Sequence, residues 1–383
     1  MKKTKRTKKT PSRLRAFFSS KRAVALLSAA LAVLLLAGAL LAIYIPAGAV
    51  VLRYESATMR EDVYLYYTAC MKYEYLVRYK GLNISDTQKG WMTVGADGRT
   101  YEDSFKEAID EDICLRFIAA YLFDRSGLSL SEEDYADIDK LFTDLETYSY
   151  GESPYKMLNN IYGIRAKRVL KQVALYEKKY AALLTASFGE DGSAVLDEAY
   201  SEDLATFYEK YYYRYNVIYV SDERAEVNEP LREFLAGEVT EKDFTDLEKS
   251  YSDAKVTSGK YPNGIYLYAG GSYTAATTGL DEKLLATMSS LEKVGDIGET
   301  RNDADNGTYY VMRYALDEAP YLGTADWVKT AFADLPAAAS VYVFRRDLAR
   351  EFSSLTVTDA ASKIFLWETV ACREYNVLRS LAN

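Results

Sequence analysis

A chain of 383 residues that contains no histidine has already lost several chemistries. Imidazole general bases, His-based triads and His-ligated zinc are excluded together. Cys70, Cys114 and Cys372 are odd in number and widely spaced, which rules out a disulfide scaffold. The count leaves at most one bridge, and three small apolar residues on helix faces is the simpler reading. There are 35 Tyr against 14 Phe, and five of them crowd one stretch: Tyr208, Tyr211, Tyr212, Tyr213 and Tyr215. Such a cluster suits client binding, because aromatic side chains anchor an extended chain at low entropic cost. The alternative is a packed joint between two domains. Among the acids, Glu132-Glu133-Asp134 and Asp303 with Asp305 follow no calcium-loop spacing and read as solvated helix starts. No metal or cofactor is expected.

The elements that position these residues begin at a basic tail. Ten of the 47 Lys and Arg lie in residues 1–22 and none of the 56 Asp and Glu do, so the rest of the chain holds 37 basic against 56 acidic residues, net −19. An acidic surface of that size repels phosphate backbones and argues against nucleic acid as a partner. Residues 23–45 follow as 23 positions without a charge, roughly 34 Å of helix against a bilayer core of about 30 Å. This predicts a single transmembrane helix at the cell membrane, with residues 1–22 a cytoplasmic tail and the bulk of the chain extracytoplasmic. A cleaved signal peptide is the rival, with Ala47-Gly48-Ala49 as a small-residue cleavage site, although a signal core is only about 7–15 residues long.

Residues 50–209 read as successive helices. Thr58 with Glu61 makes a capping-box pattern ahead of Met59, Val63, Tyr66, Cys70, Tyr73 and Val77. Thr100 with Asp103 opens a second helix, with Phe105, Ile109, Ile113 and Phe117 on one face. Ser131 with Asp134 opens a third, and Ser153-Pro154 a fourth. A long helix spans about 164–187, and a sixth begins near Ser201. The texture then changes. Tyr215 to Val220 is β-rich, two helical patterns follow, and Ile265–Tyr268 and Tyr309–Tyr314 read as strands around a helix at 280–291. That β-α-α-β-α-β order over about 105 residues is the size of a small α+β domain. Helical patterns return at Trp327–Leu335, Val341–Leu355 and Asp359 to the end.

In this order the chain resembles the extracytoplasmic foldases of the PrsA and SurA type. Asp243-Phe244, Leu247 and Tyr251-Ser252-Asp253 are similar to the parvulin stretch that reads DF, L, YSD. Phe207-Tyr208-Glu209 before the first strand also fits. The resemblance covers about residues 50–383. It implies an α+β fold in which a mostly helical chaperone domain, residues 50–209 and 319–383, carries an inserted parvulin-like domain at 210–318. It implies unfolded or nascent secreted polypeptides as partners. Active members carry a histidine in the first strand, a Cys or Asp after the YSD-like stretch and a histidine in the last strand. Here those positions resemble Val217, Ala254 and Tyr310. Valine and alanine side chains cannot hydrogen-bond, which implies a degenerate site, not an enzyme, in a chaperone-like protein. The alternatives are an active prolyl cis-trans isomerase with a shifted site that uses Asp253 or Tyr310, and an assembly module of the cell envelope.

Overall fold

The computed structural model describes residues 31–38, 48–147, 162–253, 261, 263–302, 306–369 and 371. The chain is mostly helical with two small sheets, an α+β fold. It divides into two compact units, residues 1–183 with 347–383, and residues 184–346.

The first unit opens on a hairpin, β1 (Val50–Tyr54) and β2 (Ala57–Arg60), where helix was expected from Thr58. Thr58 and Met59 pair across the hairpin with Arg53 and Leu52. Helix α1 (Glu61–Arg78) therefore begins three residues later, with Glu61 and Asp62 at its positive end and Arg78 at its negative end. The third strand of this sheet, β7 (Leu355–Val357), comes from the far end of the chain and lies antiparallel to β1.

Helix α2 (Tyr101–Arg125) is capped by Thr100, whose hydroxyl accepts from the Asp103 N–H at 3.1 Å. Its face of Phe105, Ile109, Ile113 and Phe117 is buried. Ser131 and Asp134 exchange the same kind of bonds ahead of α3 (Glu132–Thr147). The fourth expected start, Ser153-Pro154, lies outside the described residues, and α4 (Ala166–Phe188) follows. Buried Glu177 on α4 receives Arg116 Nε at 2.6 Å and the Tyr67 hydroxyl at 3.0 Å, and so joins three helices. Residues 359–369, expected to be helical, form short 3₁₀ turns instead. Their carbonyls are claimed from elsewhere: buried Lys72 donates to Leu366 O and Thr369 O, both at 2.6 Å.

The second unit is three-layered. After α5 (Ser201–Tyr211) come β3 (Tyr212–Ser221), α6 (Asn228–Leu235), α7 (Glu241–Tyr251), β4 (Ile265–Tyr268), α8 (Glu282–Ser290), β5 (Ile297–Asn302) and β6 (Gly307–Tyr314). The sheet is antiparallel in the order β4-β3-β6-β5. A turn through Gly295, at φ +91°, leads into β5, a strand that the sequence pattern did not mark. One sheet face packs on α8 through Leu284, Leu285 and Met288, the other on α6 and α7 through Leu231 and Phe244.

The same unit includes α9 (Asp326–Ala331) and most of α10 (Leu335–Arg350). The expected boundaries at 209/210 and 318/319 run through an aromatic joint. Phe332 lies 5.5 Å from Tyr212 and 5.0 Å from Tyr266, ring to ring, while Phe207 lies 5.5 Å from Tyr342. Burying rings of this size rewards contact between segments distant in sequence.

Of residues 23–45, only 31–38 are described, as exposed helix. The remainder of the expected transmembrane segment lies outside the described residues, and among those described no helix is long and apolar enough to cross a membrane.

Candidate functional site

Strand alternation decides which candidates can meet. Val217 on β3 lies on the α8 face with Tyr215, Tyr219, Tyr309 and Val311. Tyr310 lies on the opposite face with Ile218 and Met312, because it pairs directly with Ile218 and not with Val217. Val217 and Tyr310 therefore cannot line one pocket. The tyrosine of β6 that shares the Val217 face is Tyr309. The Tyr310 hydroxyl instead donates to Asn228 Oδ1 at 2.9 Å, and burial pushes its pKa up to about 12. Ala254 lies outside the described residues.

Asp253 is engaged, and its engagement is structural. Strand β4 covers only Tyr212–Tyr215 of β3, which leaves the rest of that β3 edge open. The segment after α7 closes it. Ser252 Oγ accepts the Tyr219 N–H at 3.1 Å, the Asp253 N–H donates to Tyr219 O at 2.7 Å, and the Ser221 N–H donates to Asp253 Oδ2 at 2.8 Å. Arg224 Nη1 holds the other carboxylate oxygen at 2.9 Å. Burial alone would raise this carboxyl, but the Ser221 and Arg224 bonds outweigh it and hold the pKa below the usual range. A carboxylate held this way is a poor proton acceptor.

A depressed pKa stabilises the fold above the unfolded value of about 3.9, and that contribution is lost as pH falls through the lower folded value. Asp253→Ala is accordingly expected to cost about 1–2 kcal/mol near neutral pH. The gap between the urea unfolding curves of variant and parent should narrow as pH falls through that lower value, where the parent also loses the charge.

In the second unit, room for a ligand lies on the α8 face. A cavity of about 490 Å³ is lined by Tyr213, Tyr215, Tyr268, Tyr273, Leu291 and Arg313, among others. A second, of about 410 Å³, shares Leu267, Gly271, Tyr273 and Ser289 with it and continues along α8 to Leu285 and Glu282. Together they form one aromatic groove. Arg313 caps an end, with its guanidinium 4.3 Å from the Tyr213 ring centre and Nη1 donating to Leu291 O at 3.0 Å. Tyr273 is held in place by the Tyr268 N–H, which donates to its hydroxyl at 2.5 Å. Gly271 permits this fold-back, since a Cβ there would sit 2.7 Å from the Tyr273 ring.

The five clustered tyrosines divide. Tyr213 and Tyr215 line the groove, whereas Tyr208, Tyr211 and Tyr212 belong to the aromatic joint. The residues that sequence reasoning missed are Tyr268, Tyr273 and Arg313. The signal for Tyr273 was the Gly270-Gly271 pair just before it. Burial keeps the phenols of Tyr215, Tyr268 and Tyr273 above their ordinary pKa, so they are neutral donors near pH 7. Among the described residues no group of three or more metal-binding side chains is suitably arranged for an ion. The groove offers apolar and aromatic surface, with Arg313, Glu282 and Glu292 as the charged groups along it.

No family model matches the chain, and no curated protein matches it. Solved structures similar to it include crystal structures of foldase protein PrsA from three organisms. That of Streptococcus pneumoniae is 16% identical, with 69% of this chain and 91% of that one covered and a TM-score of 0.22. For Bacillus subtilis the values are 18%, 70%, 93% and 0.22. For Lactococcus lactis they are 12%, 82%, 96% and 0.21.

Proposed function

We propose that this chain is a membrane-anchored, extracytoplasmic, chaperone-like protein that holds unfolded secreted polypeptides. In this reading residues 210–318 form a parvulin-like domain that binds without catalysing, and residues 23–45 tether the chain where its clients emerge. A tether raises the effective concentration of both without any new contact.

The observation that carries the reading is the groove: buried and part-buried tyrosines and leucines, with the Arg313 guanidinium and the side chains of Glu282 and Glu292 along its wall, in a chain without histidine. Prolyl isomerisation requires lowering a barrier of about 18–20 kcal/mol. Val217 has no polar side chain for the purpose, Tyr310 faces away from it, and Asp253 is bound up in closing the sheet edge. Holding an extended chain requires only adaptable apolar contact and a polar rim.

The full-length chain in detergent is expected to suppress aggregation of an unfolded model protein at near-stoichiometric ratios. A prolyl peptide should isomerise in its presence at the uncatalysed rate, over tens of seconds. Catalysis that disappears on Asp253→Ala would instead establish a shifted active site. Failure to suppress aggregation, with one stoichiometric partner on pull-down, would establish an assembly module.

A further inference from the structure

Single apolar side chains on a surface are ordinary, whereas a gathered set marks a contact. In the first unit such a set lies in one stretch: Tyr79, Leu82, Met92 and Val94 are 41–60% exposed. Tyr79 closes the last turn of α1, Leu82 lies in the 3₁₀ turn after it, and Met92 and Val94 follow a short helix at Gln88–Trp91. These segments meet at one buried ring. Phe105 of α2 has the Tyr79 ring centre at 5.2 Å and the Trp91 ring centre at 6.0 Å, and Val94 bridges to Thr100, the cap of α2. The patch is therefore ordered before anything docks on it, which lowers the entropic cost of contact.

Charge sets this stretch apart. Residues 77–99 hold four basic and two acidic side chains, within residues 23–383 that hold 37 basic against 56 acidic. Both acids are engaged: Asp86 meets Lys72 and the Trp91 indole N–H, and Asp97 accepts the Arg99 N–H and the Ser104 hydroxyl. Arg78 pairs with Glu74 and Arg99 with Glu107. Lys80 and Lys89 are exposed, with no ion-pair partner among the described residues. An apolar patch flanked by two such lysines, on an otherwise acidic chain, fits an anionic partner with an apolar interior.

We propose that residues 79–94 are a second membrane contact, which docks on the surface of an anionic bilayer. Leu82, Met92 and Val94 enter the boundary between headgroups and acyl chains, the Tyr79 phenol stays at headgroup level, and Lys80 and Lys89 meet lipid phosphates. The proposal rests on the membrane-anchored reading, because the anchor supplies the proximity. The chain leaving residue 45 is fastened to the start of α1 almost at once: the Ala49 N–H donates to Glu61 Oε2 at 3.2 Å, and Arg60 Nη1 donates to Gly48 O at 3.0 Å. The patch lies at the other end of the same helix, 18 residues and about 27 Å on. Two attachments that far apart hold α1 along the bilayer, where a tether alone leaves it free to tilt.

Full-length chain reconstituted into vesicles of phosphatidylcholine, alone or mixed equally with phosphatidylglycerol, tests both readings. Flotation that resists alkaline carbonate reports the anchor. A solvatochromic dye on Met92→Cys reports the patch, with Tyr135→Cys on α3 as the exposed reference and Cys372→Ser in both chains. On mixed vesicles the dye at 92 is expected to shift to the blue and to be quenched severalfold more by lipid-borne nitroxide than the dye at 135. On phosphatidylcholine alone the two should match. Lys80→Glu with Lys89→Glu should lower the ratio of docked to undocked dye more than about tenfold. Raised salt on the parent chain should do the same, which guards against misfolding of the variant. Carbonate-resistant flotation with the dye at 92 as wet as at 135 overturns the contact and leaves the anchor standing. Carbonate-extractable flotation with a blue-shifted dye removes the anchor and supports the patch, and no flotation removes both. Equal shifts on the two vesicle types overturn the choice of an anionic surface. A shift seen only when an unfolded polypeptide is added overturns the membrane contact and assigns the patch to clients.

Discussion

Lys72→Met is expected to destabilise the first unit by about 3–5 kcal/mol, since each acceptor left unmet inside the protein costs about 1–3 kcal/mol. The Lys72 side chain is essentially buried, and its ammonium meets three acceptors: Leu366 O, Thr369 O and Asp86 Oδ1, each at 2.6 Å. Its charge also lies 5.4 Å from the centre of the buried Trp91 ring. Methionine fills much of the volume but donates to none of the acceptors, so two carbonyls lose their partner inside the protein. Asp86→Asn makes the matched comparison. Asp86 is 44% exposed, so water can replace the lost charge, and the expected cost is within about 1 kcal/mol. Urea unfolding followed by Trp91 emission, with limited proteolysis near residue 366, would separate the two. Equal, small effects for both variants would mean that the C-terminal turns are held by packing alone.

The same contact explains why residues 359–369 are not α-helical. From Asp359 onward the apolar spacing suits a helix, and local reasoning has no means of seeing that Lys72, almost 300 positions earlier, takes the carbonyls a helix would need. The β1–β7 pairing is hidden for the same reason, since Arg53 and Thr356 are neighbours only in the folded chain. Short-range signals fared better. Thr100 and Ser131 cap the helices they appeared to open, and the period of Phe105, Ile109, Ile113 and Phe117 marks a buried face. Thr58 misled because a capping pattern also tolerates a strand that ends one residue before the helix. Within the sheet, a period of two assigns faces only once register is known. Tyr309 and Tyr310 are adjacent in sequence, and only the pairing of Ile218 with Tyr310 places the second of them behind the sheet from Val217.

Tyr212 and Tyr213 give the sharpest functional contrast, because neighbouring strand residues face opposite ways. Tyr212 is buried, with ring centres of Tyr208, Tyr268 and Phe332 each 5.5 Å away. Tyr212→Ala empties the centre of the aromatic joint and is expected to cost about 3–5 kcal/mol, as large aromatic truncations in cores do. Tyr213 is part-buried at the groove, where its ring meets the Arg313 guanidinium. Tyr213→Ala forfeits a cation–π contact of about 0.5–1 kcal/mol and only the part of its ring that packs on the α8-face cluster, so its unfolding midpoint should move less than that of Tyr212→Ala. Client holding should respond in the opposite order. Tyr213→Ala ought to require severalfold more chain to suppress aggregation, while Tyr212→Ala, assayed well below its own melting temperature, should perform close to the parent. If the two variants lost holding strictly in proportion to lost stability, the groove would be no more than a surface depression, and the tyrosines of β3 would all belong to the core.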